Sequence, residues 1–233
     1  MTAVGIVGLV LVVRALPETR PQSERISASF ASAFSGFGHL LRHGHFLGLT
    51  FIGGFGMSSF FTFLASSSFI YIDHFGLTPT QYSFAFSLNA IAFIGTSQFA
   101  AAFGGRYGMT RVVRAAVAAF TFFAVLLLAL TLAGVDSLFV LIVLLFCANG
   151  PLGLVIPTCM VLSLEEHGPI AGMASALGGK LQMVFGAVMI VVVSILFDGT
   201  ALPMVAIIAA CAVGAFILSL ITLRRRAAPQ AAE

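Results

Sequence analysis

"SLFVLIVLLFCANGPLGLVIPTCMVLSL", residues 137–164, carries no charged side chain from its first residue to its last. About 20 apolar residues, wound as a helix, cross the hydrocarbon of a bilayer. This run is long enough to do so, and it is not alone. Uncharged runs of similar length occur at Phe46–Ile72, Phe75–Gly105, Ala115–Val135 and Gly199–Leu223. Gly168–Phe197 is interrupted only by Lys180. Trimmed for turns, these runs predict six membrane spans near 47–72, 82–103, 113–134, 138–164, 170–197 and 203–223. The expected fold class is an all-α membrane protein.

Composition supports this. The chain is 60% hydrophobic and 8% charged, where a soluble domain carries about 25% charge, and its mean hydropathy is +1.11. A net charge of +3 and a pI near 9.1 would suggest nucleic acid in a soluble protein, but here the arginines act as topology signals. Arg14, Arg20, Arg25 and Arg42 precede the first full span. Arg106, Arg111 and Arg114 flank one short loop, and Arg224, Arg225 and Arg226 end the last span. Alternating the spans places all of them on one face, which the positive-inside rule makes cytoplasmic, together with the C-terminus. Cys147, Cys159 and Cys211 lie in apolar runs and read as small packing residues. The chain has no tryptophan and three tyrosines, so its interfacial aromatics are mostly Phe.

The N-terminal apolar run "MTAVGIVGLVLVV" is too short to cross, and it lacks the positive n-region of a signal peptide. Residues 1–16 read as the end of a membrane helix whose first half is missing. Residues 17–45 form a cytoplasmic linker in which Phe30, Phe34, Phe37 and Leu41 recur at helical spacing. They form either an amphipathic surface helix or a partly ordered tether. Residues 46–223 are the six-span bundle, and 224–233 a cytoplasmic tail.

Polarity sorts the spans. Those at 113–134 and 203–223 are nearly all aliphatic, Phe and Ala, and are expected to face lipid. The other four hold the amides, glycines and prolines, which belong in a bundle interior or along a watery path. Gly54, Ser58, Thr62 and Ser66 step by four along one helix face, as a packing stripe or a cavity wall. Asn89, near mid-membrane, is a candidate for a substrate pathway or for an interhelical hydrogen bond. Asn149 is a further pathway candidate. It stands in "CANGPLGLVIP" beside Pro151 and Pro157, each of which removes a helical hydrogen bond. These prolines are hinge candidates or static kinks.

Lys180, the only lysine, lies about 15 Å into its span at 1.5 Å per residue. Insertion scales put the cost of a cation there at about 2.5–3.5 kcal/mol. On a helical wheel, Ser175, Gly178, Gly179 and Gly186 gather around Gln182. Met173, Ala176, Leu177, Val184 and Ala187 gather around Lys180, nearly opposite. The small-residue face is expected to pack, which turns Lys180 toward lipid or a cavity, and its cost in lipid favours the cavity. Lys180 and Gln182 join Asn89 and Asn149 as pathway candidates.

Arg106, Arg111 and Arg114 are topological anchors, with Gly104, Gly105 and Gly108 permitting a tight turn. Glu165 and Glu166 suit helix capping or an ion pair with that turn. His39 and His43, one helical turn apart, have the spacing of a metal pair. No nearby carboxylate or cysteine completes the set in sequence, so no metal is expected. No GxSxG, HExxH, CxxC or phosphate-loop spacing occurs, which disfavours an enzyme.

Several segments together resemble the Bcr/CflA drug-resistance subfamily of the major facilitator superfamily. "LPET" at 16–19 is similar to the start of that family's central loop. "HFLGLTFIGGFGMSSFFTF" (45–63) looks like its seventh helix and "SLNAIAFIGTSQ" (87–98) like its eighth. "GGRYGMTRVVR" (104–114) looks like the basic turn that follows. "AGMASALGGKLQMVFGAV" with "DGTALPM" (198–204) is the most specific match. The resemblance covers the family's C-terminal half. It implies a six-helix half of a major facilitator fold in a bacterial inner (plasma) membrane; no internal repeat is obvious in the sequence, although three helical pairs joined by tight turns suit a three-plus-three inverted repeat. The implied activity is efflux of small molecules by proton antiport, without cofactor or nucleic acid. The expected partners are the lipid bilayer, substrate and protons, and a separate N-terminal six-helix half. The alternative is a truncated membrane fragment without transport activity. The resemblance also suggests a gating role for the basic turn. The subfamily is usually apolar where this chain has Lys180.

Overall fold

The computed structural model describes residues 5–6 and 30–224. Residues 37–233 cluster as one compact unit and residues 1–36 as another. In the second, the described residues are Gly5, Ile6 and residues 30–36, all helical, with the side chains of 30–35 outside the described set. The readings made on residues 1–4, 7–29 and 225–233 lie outside the described residues.

Eight helices follow in order. Helix α1 covers Phe30–Arg42. Helix α2 covers Gly44–Ser68 and continues as a π-helical turn, Phe69–His74. Next come α3, Pro79–Gln98, and α4, Ala100–Tyr107. They are followed by α5, Met109–Leu132, and α6, Leu138–Glu165. A 3₁₀ turn at Gly168–Ile170 leads into α7, Ala171–Leu196. Last is α8, Leu202–Arg224. Five of these are long and apolar enough to cross a membrane, and six crossings result if the bent pair α3–α4 counts as one. The described residues contain no strand. The chain is thus an all-α, multi-pass membrane protein.

The linker reading meets a helix at 30–42 with a shifted face. Leu40 is buried, beside half-buried Phe37, against Phe46 and Ala174, while Leu41 is exposed. The side chains of Phe30 and Phe34 lie outside the described set.

Helix α3 starts on a capping box. The Thr78 hydroxyl accepts from the Gln81 N–H, Gln81 reaches back to the Thr78 N–H, and Pro79 fills the first position, where its missing donor costs nothing. The expected span at 82–103 carries a break: α3 and α4 meet at Phe99 with a 44° bend. Hydroxyls crowd this turn. Ser97 Oγ donates to the Ile94 carbonyl at 2.7 Å, and Thr96 Oγ1 lies 2.8 Å from the Ala92 carbonyl and 3.2 Å from that of Phe93. Such bonding back to the previous turn bends helices. At the turn into α5, Gly108 has φ +85°, a left-handed conformation open to glycine. Gly104 and Gly105 are helical instead, and Gly104 packs on Met109.

The core lies between α2, α5, α6 and α8, filled by Leu49, Phe120, Leu145, Leu152 and Ile208. Lipid tails are as apolar as these side chains, so close packing and hydrogen bonds hold the bundle. Small residues make the approach possible. A Cβ on Gly48 would strike Thr222 of α8, and one on Gly186 would strike the Phe61 ring of α2. Thr121 of α5 donates to the Ala212 carbonyl of α8 at 2.9 Å.

The span at 203–223, expected to face lipid, packs one side on α2 and α5 and leaves Val213, Ile217 and Ile221 exposed. Half of the most apolar window of α8 is buried, against 17% for α7, whose open side carries Lys180. Aliphatic composition does not tell a lipid neighbour from a protein neighbour. Ala209, Ala212 and Ala215 instead let α8 pack closely between α2 and α5.

Candidate transport pathway

The four pathway candidates divide into two environments. Gln182 is 6% exposed, on the α7 face that also carries Ala174, Gly178, Gly186 and Val193. That face packs on α2. The Gln182 amide lies 3.5 Å from the Thr50 carbonyl, and a Cβ on Gly53 would come within 2.7 Å of its Nε2. Glycine at 53 therefore makes room for the amide. Lys180 is exposed on the opposite side, beside Ala176, Val184 and Ala187. Among the described residues no carboxylate pairs with it.

Asn89 and Asn149 are 1% and 5% exposed. They bond to each other across the α3–α6 contact, with Asn149 Nδ2 donating to Asn89 Oδ1 at 3.2 Å. The Asn89 amide in turn donates to the Ala85 carbonyl one turn earlier, at 3.2 Å. Neither side chain faces an open surface of this half. About two turns further along α3, Thr96 Oγ1 sits 2.6 Å from the Gly150 carbonyl. A Cβ on Gly153 would overlap the backbone oxygen of Phe93. Sequence reasoning named these two asparagines separately and missed their pairing. Mid-span asparagines on neighbouring helices were the available signal.

Helix α6 runs unbroken through Pro151 and Pro157. The α2 stripe of Gly54, Ser58, Thr62 and Ser66 is wholly buried, with Gly54 against Phe185 and Gln182; it packs along its length, and Ser66 borders a small pocket of about 210 Å³.

At the end of the bundle that carries the basic turn, Arg106, Arg111 and Arg114 are exposed, with the Arg106 guanidinium 5.4 Å from the Tyr107 ring. Glu166 pairs with His45 Nδ1 at 3.1 Å, which corrects the expected ion pair with that turn. His45 starts the first crossing and is closer. The structure also gathers a histidine group that spacing did not reveal. His167, from the α6–α7 connection, is buried against His43 with ring centroids 4.8 Å apart, and His39 is 6.5 Å away. His43 Nδ1 accepts the Phe46 N–H at the start of α2, and His167 Nδ1 lies 3.1 Å from the Ser163 carbonyl. Among the described residues no group of three His, Cys, Asp or Glu side chains has metal-binding geometry.

On the opposite end, His74 Nε2 meets Asp136 at 2.9 Å and ties the end of the first crossing to the α5–α6 turn. Asp198 accepts the Thr200 hydroxyl at 2.7 Å and its N–H at 2.9 Å. Those two hydrogen bonds hold its carboxyl below the usual carboxylate range.

These features define a bundle of membrane helices with one open, lysine-bearing face and short polar turns at both ends. Residues 1–188 match the family model of the Major Facilitator Superfamily, and the chain belongs to that superfamily. It is 30% identical over 210 residues to the "Uncharacterized MFS-type transporter YdgK" of Bacillus subtilis (strain 168), covering 90% of this chain and 52% of that protein. It is 26% identical over 213 residues to the "Bicyclomycin resistance protein homolog" of Haemophilus influenzae, covering 91% of this chain and 53% of that protein. The chain spans about half the length of the curated relatives it matches.

Proposed function

We propose that this chain acts as the C-terminal half of a transporter that exports small molecules by proton antiport across a bacterial inner membrane. Its C-terminus would be cytoplasmic, and its partner a six-helix N-terminal half. The observation that carries the reading is the exposure of Lys180 on α7, the least enclosed crossing of the bundle. A cation held at membrane depth is costly unless it meets water, an anion or another protein surface. A central pathway between two halves supplies all three. In this reading Lys180 contacts the pathway. Gln182 and the Asn89–Asn149 pair stand behind it and fix α7, α3 and α6. Pro151 and Pro157, each lacking a helical donor, let α6 flex as the pathway alternates. The membrane-spanning helices described here hold no carboxylate at Lys180's depth, so the proton-carrying acid would belong to the other half. The bicyclomycin-resistance relative supports drug efflux as the substrate class.

The test is co-expression with a matching N-terminal half in a drug-susceptible host. Resistance should require both halves, and Lys180→Leu should change the resistance profile while membrane levels stay constant. Equal resistance with and without this chain would overturn the reading.

A further inference from the structure

A groove of about 710 Å³ runs along the outside of α5, between the bent pair α3–α4 and α6. Its volume lies within the range of roughly 300–1,000 Å³ typical of ligand sites. Arg111 and Tyr107 stand at its mouth, and Phe103, Ala115, Ala119 and Pro151 line the apolar length. From Arg111 to Ala119 the floor runs eight residues along α5, about 12 Å at the helical rise. The 44° bend at Phe99 carries α4 away from the line of α3 and leaves this space open beside α5 and α6.

The two ends of the groove differ in chemistry. The deep part presents alanines, a proline and a phenylalanine. The mouth presents a guanidinium and a phenol at the end of the bundle that carries the arginines. Arg106 and Arg114 flank it, both exposed. Among the described residues none of the three arginines pairs with a carboxylate, and Glu166, on the same end, is engaged by His45. An occupant must therefore combine an apolar chain with an anionic head. A guanidinium binds a phosphate bidentately. A tyrosine at the membrane interface has the same division of apolar ring and polar tip. The groove also lies on the side of the molecule away from Lys180, since α5 packs on α4, α6 and α8 whereas α7 packs mainly on α2.

We propose that this groove is a binding site for an anionic phospholipid, with one acyl chain against Ala115 and Ala119 and the phosphate on Arg111. It is a specific site, and its preference for phosphatidylglycerol over phosphatidylcholine comes from Arg111 and from no other arginine of the turn.

The absence of tryptophan makes the test direct. Phe103→Trp, on α4, gives a single fluorophore in the groove, and Phe122→Trp, on the exposed side of α5, gives one outside it. The full chain is reconstituted in phosphatidylcholine bilayers and titrated with brominated phosphatidylglycerol or brominated phosphatidylcholine. Phosphatidylglycerol should quench the groove reporter at lower mole fraction, while the two lipids should quench the Phe122→Trp reporter alike. Adding Arg111→Gln should weaken the preference about fivefold, the value of one arginine at an anionic surface, and adding Arg114→Gln should leave it within twofold. Ala115→Leu, which keeps every charge, should reduce quenching by both lipids at the groove reporter. If Arg111→Gln fails to insert, the Ala115→Leu and Phe122→Trp arms still decide. Equal quenching by the two lipids in the groove, equal loss with Arg114→Gln, or quenching unaffected by Ala115→Leu would each overturn the proposal.

Discussion

Gly153 shows how little room one helix leaves another. Its missing Cβ is the space occupied by the Phe93 carbonyl and the Thr96 hydroxyl, and a backbone carbonyl cannot rotate away as a side chain can. Gly153→Ala should therefore destabilise the bundle by about 1–3 kcal/mol, the usual cost of overpacking. Gly95→Ala, on the same helix as Phe93 and Thr96 but with nothing within 4 Å, should be neutral or slightly stabilising. Thermal unfolding in detergent micelles checks both. The neighbouring Asn89–Asn149 bond makes a second prediction. A double-mutant cycle with Leu at both positions should give a coupling of about 0.6 kcal/mol, the average for interhelical hydrogen bonds in membranes. A coupling near zero would mean that the two amides do not bond. At this scale the sequence marked the polar residues but not their partners. Asn89 and Asn149 are sixty positions apart, and only helix packing brings them together.

At the scale of the element, α6 and the α7–α8 connection carry the consequences. Pro151 leaves the Cys147 carbonyl without its helical donor. Pro151→Ala supplies that donor, so amide hydrogen exchange in the middle of α6 should slow and thermal stability should rise. If α6 is a hinge, transport by the assembled halves should fall at the same time; unchanged transport would leave α6 a static kink. The α7–α8 connection gives the pH prediction. Asp198 is held below its ordinary range by Thr200. Its contribution is therefore full above the ordinary Asp value of about 3.9 and is lost as pH falls through the lowered native value. The unfolding midpoints of wild type and Asp198→Asn should differ at neutral pH and converge in acid. Element existence was legible from uncharged runs and arginine positions, because a bilayer demands long apolar helices. The break at Phe99 was not. It arises from Thr96 and Ser97 hydroxyls bonding to carbonyls, which hydropathy does not register.

For the whole molecule, the orientation inferred from the arginines makes a separate prediction. A green fluorescent protein fused after the last residue should fluoresce, as it does only on the cytoplasmic side; a dark fusion at normal expression would reverse the topology. The sequence by itself determined that this is an all-α membrane protein with five or six crossings and a lysine opposite a small-residue face. It could do so because the bilayer acts on every residue alike, through length, charge and helical period. Only the tertiary structure decided which crossing is enclosed. Helix α8 buries one aliphatic side between α2 and α5 while α7 is the least enclosed, because alanine and leucine are as acceptable to a protein neighbour as to lipid. Packing also chose the partner of each buried amide, gathered His167 with His43, and opened the groove beside α5. These depend on which helix faces which, and that is fixed by the shapes of small residues such as Gly53, Gly153 and Gly186 meeting particular side chains across the bundle.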